Sequence, residues 1–85
     1  MEIIDQPKAL DDLKYWKKSR QKQMQTRILS LIQSIQNSPF EGKGKPEPIK
    51  HNWTSMWSRR INNLHRIIYE IKDNDIHVYS LKDHY

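Results

Sequence analysis

The sequence predicts an α+β fold in which a short first strand and two helices precede three strands, with both helices on one face of an antiparallel sheet. Apolar residues recur at helical spacing before residue 38 and form short, strand-like runs after residue 55. A stretch rich in Gly and Pro lies between the two patterns. With 85 residues, we expect a single domain, residues 1–85, with one small core.

The first half of the chain is expected to form one strand and two helices. Glu2–Ile4 is predicted as the strand, and Asp5 is predicted to cap the first helix, with Pro7 in its first turn. Ser19 is predicted to cap the second helix, which Asn37-Ser38-Pro39 ends. Periodicity assigns Leu10, Leu13 and Trp16 to the apolar side of the first helix, and Met24, Ile28, Leu31, Ile32 and Ile35 to that of the second.

The second half predicts an irregular loop followed by three strands. The loop spans residues 40–50, and the predicted strands are Met56–Ile61, Arg66–Ile71 and Ile76–Leu81. A loop of residues 62–64 pairs Arg60 with Arg66, whereas a two-residue turn would put the two arginines on opposite faces. We predict the longer loop and therefore expect Arg60 and Arg66 to lie side by side.

Positive charge is concentrated in the middle of the chain. The sequence has 15 Lys and Arg against 10 Asp and Glu, a net charge of +5. Residues 43–66 alone carry a net charge of +5, with Glu47 as their single acid and Trp53 and Trp57 among the cations. Such a mixture suits phosphate contact and base stacking, so the charge indicates an anionic partner. Another basic run, over residues 14–27, is interpreted as a solvated helix face.

The composition excludes several kinds of site. The absence of cysteine excludes a disulfide framework, a Cys-ligated zinc site and a thiol nucleophile. The four histidines form no pair at the i, i+4 spacing, so we expect no metal, and no other cofactor is indicated. No apolar run has the roughly 20 residues that a spanning helix needs, and no signal peptide is visible at the start. We therefore expect no membrane association and a cytoplasmic location.

The remaining polar residues are compatible with RNA cleavage by a ribose 2′-hydroxyl. That reaction needs a general base, a general acid and cations around the developing phosphorane, and it needs no metal. Glu47, stiffened by Pro46 and Pro48, is a candidate base, and His84 is a candidate acid. The residues alone leave alternatives open, because a lone Glu among lysines is commonly a surface ion-pair partner and a terminal His is commonly frayed.

The loop and the C-terminal half resemble one family closely. The segment Phe40–Asn52, the segment Trp57–Ile61, the pair His65-Arg66 with Tyr69, and the final His84-Tyr85 resemble the signature of YoeB/Txe-type toxins of the RelE superfamily. The resemblance extends over essentially the whole chain, and the thirteen-residue loop is its most specific part. These toxins are ribosome-dependent mRNA interferases of toxin–antitoxin systems. The resemblance therefore implies a microbial-ribonuclease-like fold and cleavage of mRNA in the ribosomal A site.

The resemblance also implies roles for individual residues. Glu47 would be the general base and His84 the general acid, while Arg66 would stabilise the charge on the scissile phosphate and Tyr85 would orient the substrate. Further positive charge at the substrate would come from Lys43, Lys45, Lys50, Arg59 and Arg60. The family commonly has an acid where this chain has Leu64, and we expect activity to survive that change.

The implied partners are a cognate antitoxin, the ribosome with its mRNA, and operator DNA only as part of the toxin–antitoxin complex. The sequence leaves the oligomeric state open, with a homodimer among the alternatives. A non-catalytic module that binds RNA or the ribosome would use the same basic segment. A DNA-binding regulator is disfavoured because the basic segment falls on loop and strands and no helix-turn-helix pattern is visible.

Overall fold

The computed structural model describes residues 1–49 and 55–83, and its elements confirm the α+β class. The two helices are α1 (Pro7–Lys18) and α2 (Lys22–Asn37). The strands are β1 (Ile3–Asp5), β2 (Glu47–Pro48), β3 (Met56–Arg60), β4 (Arg66–Lys72) and β5 (Asp75–Ser80). All five strands belong to one sheet, in the order β1-β5-β4-β3-β2.

The sheet is mixed rather than wholly antiparallel. Strands β2 to β5 form an antiparallel meander, but β1 runs parallel to β5 along the edge. The two helices carry the chain from β1 to the opposite edge, and the meander then returns it beside β1 in the same direction. The second difference from the expectation is β2, which lies within the predicted loop at Glu47–Pro48. Proline is tolerated there because β2 is an edge strand.

One face of the sheet is covered by the two helices, and we call it the helix face. Its core combines apolar residues of both helices with alternate residues of the strands. The buried members are Ala9 and Trp16 from α1, Ile28, Leu31 and Ile35 from α2, and Ile61, Ile67, Tyr69, Ile76, Val78 and Leu81 from the sheet side. Strand residues between these positions point to the opposite face, which we call the distal face.

The second helix agrees with its predicted apolar side, but the first helix differs. Trp16 is buried and Leu13 packs against the core as predicted, but Leu10 is 48% exposed while Ala9 and Asp12 are buried, so the covered side of α1 is rotated away from Leu10. Both predicted caps are wrong as well. Asp5 lies in β1, with Gln6 at the cap position, and Ser19 follows the end of α1 instead of starting α2.

Neither helix in the described part of the chain is both long and apolar enough to cross a lipid bilayer.

Candidate functional site on the distal face

Two arginines lie side by side on the distal face. Arg60 at the end of β3 is the register partner of Arg66 at the start of β4, as the sequence analysis predicted. The connection closes with a hydrogen bond from the backbone N–H of Ile61 to the carbonyl oxygen of His65 (2.9 Å). Side-chain Oδ1 of Asn62 accepts the backbone N–H groups of Leu64 and His65, each at 2.8 Å. This loop therefore fixes the register that keeps both guanidinium groups on one face.

Glu47 lies on the same face, at the neighbouring edge of the sheet. It is exposed and is the register partner of Ser58, which in turn is the partner of Ile68. Paired residues of adjacent strands point to the same side, so Glu47 belongs to the face that carries Arg60 and Arg66. The register row that contains Glu47 and Ser58 lies two residues along the strands from the row of Arg60 and Arg66, a distance of about 7 Å. The carboxylate and the two guanidinium groups thus border one patch.

The guanidinium of Arg60 has an unused donor. Its Nε is buried and has no hydrogen-bond partner among the described residues. A buried N–H without a partner is costly, so such a group favours any acceptor that can reach it. Phosphate oxygens are suitable acceptors for arginine.

The two loop lysines lie at different places. The carbonyl oxygen of Gly44 accepts the backbone N–H of Arg60 (2.7 Å), which brings the exposed Lys45 to the edge of the patch. Lys43 instead directs its Nζ towards α2, where it donates to Oγ of Ser30 (2.9 Å). Lys45 is therefore better placed than Lys43 to add positive charge at the distal face.

Arg59 does not belong to the substrate-facing set in which the sequence analysis placed it. It is 0% exposed and points to the helix face. Its guanidinium donates to Oγ of Ser34, to the Tyr69 hydroxyl and to three backbone carbonyl oxygens, those of Ser38, Glu41 and Lys43. The physical reason is strand alternation, which sends consecutive residues to opposite faces. Arg59 thus holds the loop after α2 against the sheet, while Arg60 faces outward.

The C-terminal end of the described chain lies beside Arg66. The backbone N–H of Arg66 donates to the carbonyl oxygen of Asp83 (2.9 Å), beyond the end of β5. The predicted site residues Lys50, His84 and Tyr85 lie outside the described residues.

An acid that the sequence analysis did not single out lies on the same face. Glu70 accepts hydrogen bonds from the hydroxyls of Ser55 and Tyr79, the latter at 2.8 Å. The hydroxyls of Ser55 and Tyr79 hold the pKa of the Glu70 carboxyl below its ordinary value, and the bond to Glu70 raises the pKa of Tyr79. The run Ile67-Ile68-Tyr69-Glu70 shows no apolar–polar alternation that would have singled out Glu70, and its partners come from two other segments.

Within residues 1–49 and 55–83, no group of three or more His, Asp or Glu side chains converges closely enough to hold a metal ion.

The family is decided by comparison with known proteins. The family model described as "YoeB-like toxin of bacterial type II toxin-antitoxin system" matches residues 6–85. The chain belongs to this family. Toxin YoeB of Escherichia coli (strain K12) is 40% identical over 85 residues, covering the whole of both chains. This toxin family accounts for the loop and the C-terminal pattern on which the sequence resemblance rests.

Solved structures of family members share the whole fold. A YoeB/ParE toxin from Agrobacterium tumefaciens is 32% identical, with a TM-score of 0.93 and full coverage of both chains. The YoeB dimer from Staphylococcus aureus is 42% identical, with a TM-score of 0.92, and covers 100% of this chain and 98% of that one. The same toxin is also known in a heterotetrameric YoeB–YefM toxin–antitoxin complex, with a TM-score of 0.88. The two helices on the five-stranded sheet are therefore the architecture of the family.

Proposed function

We propose that this toxin is an endoribonuclease that cuts mRNA in the ribosomal A site and so inhibits translation. The observation that carries the proposal is the β2–β3–β4 register, which puts Glu47, Arg60 and Arg66 on one face of the sheet, with Glu47 exposed and both arginines partly exposed. A carboxylate beside two arginines has the charges that cleavage by a 2′-hydroxyl requires. Membership of the YoeB-like toxin family supports the same activity.

Glu47 is proposed as the general base. Its carboxylate takes the proton of the ribose 2′-hydroxyl, and the 2′-oxygen then attacks the adjacent phosphorus. Glu47 is exposed on the edge strand β2, so an RNA strand has access to it without any rearrangement of the sheet. The reaction proceeds through a pentacoordinate phosphorane and uses no metal ion and no covalent enzyme intermediate.

Arg66 and Arg60 are proposed to neutralise the phosphorane. Arg66 stabilises the negative charge that develops on the non-bridging oxygens, and the guanidinium of its register partner Arg60 adds a second positive charge beside it. Lys45, Lys43 and Lys50 add positive charge along the RNA backbone, with Lys45 next to the arginine pair. Arg59 is excluded from this set because it is fully buried.

His84 is proposed as the general acid and Tyr85 as the residue that orients the substrate. His84 donates a proton to the 5′-oxygen as that oxygen leaves the phosphorus. The products are a 2′,3′-cyclic phosphate, or the 3′-phosphate after hydrolysis, and a 5′-hydroxyl. The hydrogen bond between Arg66 and Asp83 supports this assignment, because it holds Asp83, the residue before His84 in the sequence, beside the proposed phosphate site.

The proposed partners follow from the same surface. We propose a cognate antitoxin, since the S. aureus relative forms a complex with YefM, and we expect it to be an acidic chain that covers the basic distal face. The ribosome and its mRNA are the proposed targets in the cytoplasm. Operator DNA is proposed as a partner of the toxin–antitoxin complex alone. A homodimer is proposed as one state of the free toxin, as in the S. aureus YoeB dimer.

The proposal is tested by inducing the toxin without an antitoxin and mapping new 5′ ends in cellular mRNA. The wild type is expected to stop growth and to produce cuts inside translated codons. Glu47→Gln removes the base and keeps the shape, and should lower the cleavage rate about 10²- to 10⁴-fold. Glu41→Gln, an exposed acid of the same loop, is the matched control and should cleave like the wild type.

The alternative function is a non-catalytic inhibitor that binds RNA or the ribosome. It predicts that Glu47→Gln still arrests translation and that no cut appears with either protein. Arrested translation with intact mRNA in the wild type would therefore overturn the nuclease proposal.

A further inference from the structure

Helix α1 holds Leu81 by both of its main-chain polar groups. The backbone N–H of Leu81 donates to Oδ2 of Asp12 (2.9 Å), and its carbonyl oxygen accepts Nε1–H of Trp16 (2.8 Å). Asp12 and Trp16 are one turn apart on α1, and both are buried. Two side chains of one helix therefore fix both polar groups of a residue just beyond the last strand.

One oxygen of the Asp12 carboxylate, Oδ2, makes several contacts in this arrangement. Besides the Leu81 N–H it accepts Nζ–H of Lys8 (2.8 Å), and Oγ of Ser80 lies 3.4 Å away while its hydroxyl donates to the carbonyl oxygen of Lys82 (2.8 Å). The Lys8 Nζ also donates to Oγ of Ser80 (3.0 Å). A buried carboxylate is tolerated only when it is paired and hydrogen-bonded, and here every partner lies at the end of β5 or on α1 itself. An apolar side chain at position 12 would pack α1 against β5 equally well. We infer that the polar groups instead fix the course of the backbone after β5.

A third side chain extends the contacts to Asp83. The imidazole of His65 meets the Trp16 ring edge-on, with ring centroids 5.0 Å apart. Its Nδ1 accepts the backbone N–H of Asp83 (2.9 Å), while the carbonyl oxygen of Asp83 accepts the N–H of Arg66 (2.9 Å). Asp83 has a positive φ of 69°, which a residue other than glycine adopts at a cost. Both of its main-chain groups are therefore held in a conformation that the isolated segment would disfavour.

We propose that Asp12, Trp16 and His65 are positioning residues that anchor residues 81–83 and so hold Asp83 beside Arg66. The effect on catalysis rests on the proposed function, in which His84 of the C-terminal dipeptide is the general acid. The anchoring of residues 81–83 does not rest on that function. Regular strand pairing of β5 ends at Ser80, so the path beyond it depends on these side chains, on the Arg66 N–H, and on Ser80 and Lys8, which donate to the carbonyl oxygen of Lys82 (2.8 and 3.4 Å).

The decisive variant is Trp16→Phe, which keeps an aromatic ring and removes the donor to Leu81. Backbone ¹⁵N heteronuclear NOEs of the free toxin report on the anchoring without any substrate. We expect lower NOE values at residues 81–83 in the variant, with α2 unchanged. The control Tyr15→Phe removes one hydroxyl from the exposed neighbouring ring and should leave these values as in the wild type.

The second readout is single-turnover cleavage of mRNA on purified ribosomes. Misplacement of a catalytic group by about 1 Å costs on the order of 10²-fold, so Trp16→Phe should lower the maximal rate by about 10- to 100-fold. The toxin concentration at half-maximal rate should change little, because the distal face is intact. Loss of overall stability alone would not produce this split in a fully folded sample.

A second variant keeps the inference testable if Trp16→Phe does not fold. Asp12→Asn preserves the shape of the side chain but weakens the bonds to Leu81 and Lys8, and Asp11→Asn is its exposed control with the same change of charge. We expect reduced NOE values and slower cleavage for Asp12→Asn alone.

Unchanged NOE values at residues 81–83 in the folded variants would overturn the anchoring, and unchanged cleavage rates would overturn its catalytic role. A wild type that cuts no RNA would instead refute the proposed function, while the NOE values would still decide the anchoring.

Discussion

Arg59 and Arg60 are consecutive residues with opposite environments. Arg59 is buried against the helices and bonds loop carbonyl groups, whereas Arg60 faces the distal side, and its Nε has no hydrogen-bond partner within residues 1–49 and 55–83. The sequence held a signal for this difference, because Trp57 and Ile61 flank Arg59 at a spacing of two and are both apolar. The signal was outweighed by the basic segment around it, since buried arginine is rare. Which of the two arginines is buried followed only from the position of the helices on the sheet.

This difference predicts unequal effects of two identical substitutions. Arg59→Lys cannot reproduce the guanidinium fork and leaves buried carbonyl oxygens without a donor, so the free energy of unfolding should fall by about 3 kcal/mol or more. Arg60→Lys should change it by less than about 1 kcal/mol. Urea unfolding of both variants measures the difference. Equal losses in the two variants would contradict the structural role of Arg59.

Glu70 should make stability depend on pH in a defined direction. The bonds from Ser55 and Tyr79 lower the pKa of Glu70 in the folded protein from its ordinary value of 4.5. The stabilisation is therefore present above pH 4.5 and is lost as the pH falls through the lower folded-state pKa. Glu70→Gln should be less stable than the wild type at neutral pH, and the two should converge in acid.

Urea unfolding at neutral pH and again well below the ordinary pKa measures this effect, with Glu41→Gln as the control for losing one exposed carboxylate. If the difference in free energy of unfolding between Glu70→Gln and the wild type became larger in acid, the hydrogen bonds to Glu70 would not have the effect described.

At the scale of elements, long periodic patterns were predictive and short ones were not. The apolar side of α2 and the three strands of the meander follow directly from the spacing of their apolar residues. In α1 the pattern was misleading, because Leu10 is exposed while Asp12 occupies the covered side through its bond to Leu81. β2 escaped prediction because two residues between prolines carry no strand pattern, and only pairing with β3 defines them.

The connection between α2 and β3 depends on a glycine at one close approach. Gly44 has a positive φ of 82°, and a Cβ there would lie 2.8 Å from Cδ2 of Leu31 and 3.0 Å from the carbonyl oxygen of Arg60. Gly44→Ala should therefore lower the free energy of unfolding by about 1–3 kcal/mol. Lys45→Ala is a neighbouring exposed control with little expected effect on thermal unfolding. If Gly44→Ala and Lys45→Ala unfolded at the same temperature, the close approach of Gly44 to Leu31 and Arg60 would be contradicted.

At the scale of the whole molecule, the two faces of one sheet differ in what they carry. The helix face contains the core and the buried Arg59, while the distal face presents Glu47 beside Arg60 and Arg66. The net charge of +5 was readable from composition, and the family resemblance supplied the roles. Neither could show that α1 reaches across to hold the end of the chain, because those contacts join residues that are about 70 positions apart.

The central claim is that the 2′-hydroxyl of the mRNA is the nucleophile and that the distal face activates it. The most direct test compares two mRNAs on purified ribosomes in single-turnover cleavage, one all-ribose and one with a single 2′-deoxy nucleotide at the scissile position. The account predicts cleavage of the all-ribose mRNA to a 2′,3′-cyclic phosphate and a 5′-hydroxyl, and no cleavage of the deoxy mRNA despite unchanged binding. Cleavage of the deoxy mRNA at the same position would contradict it.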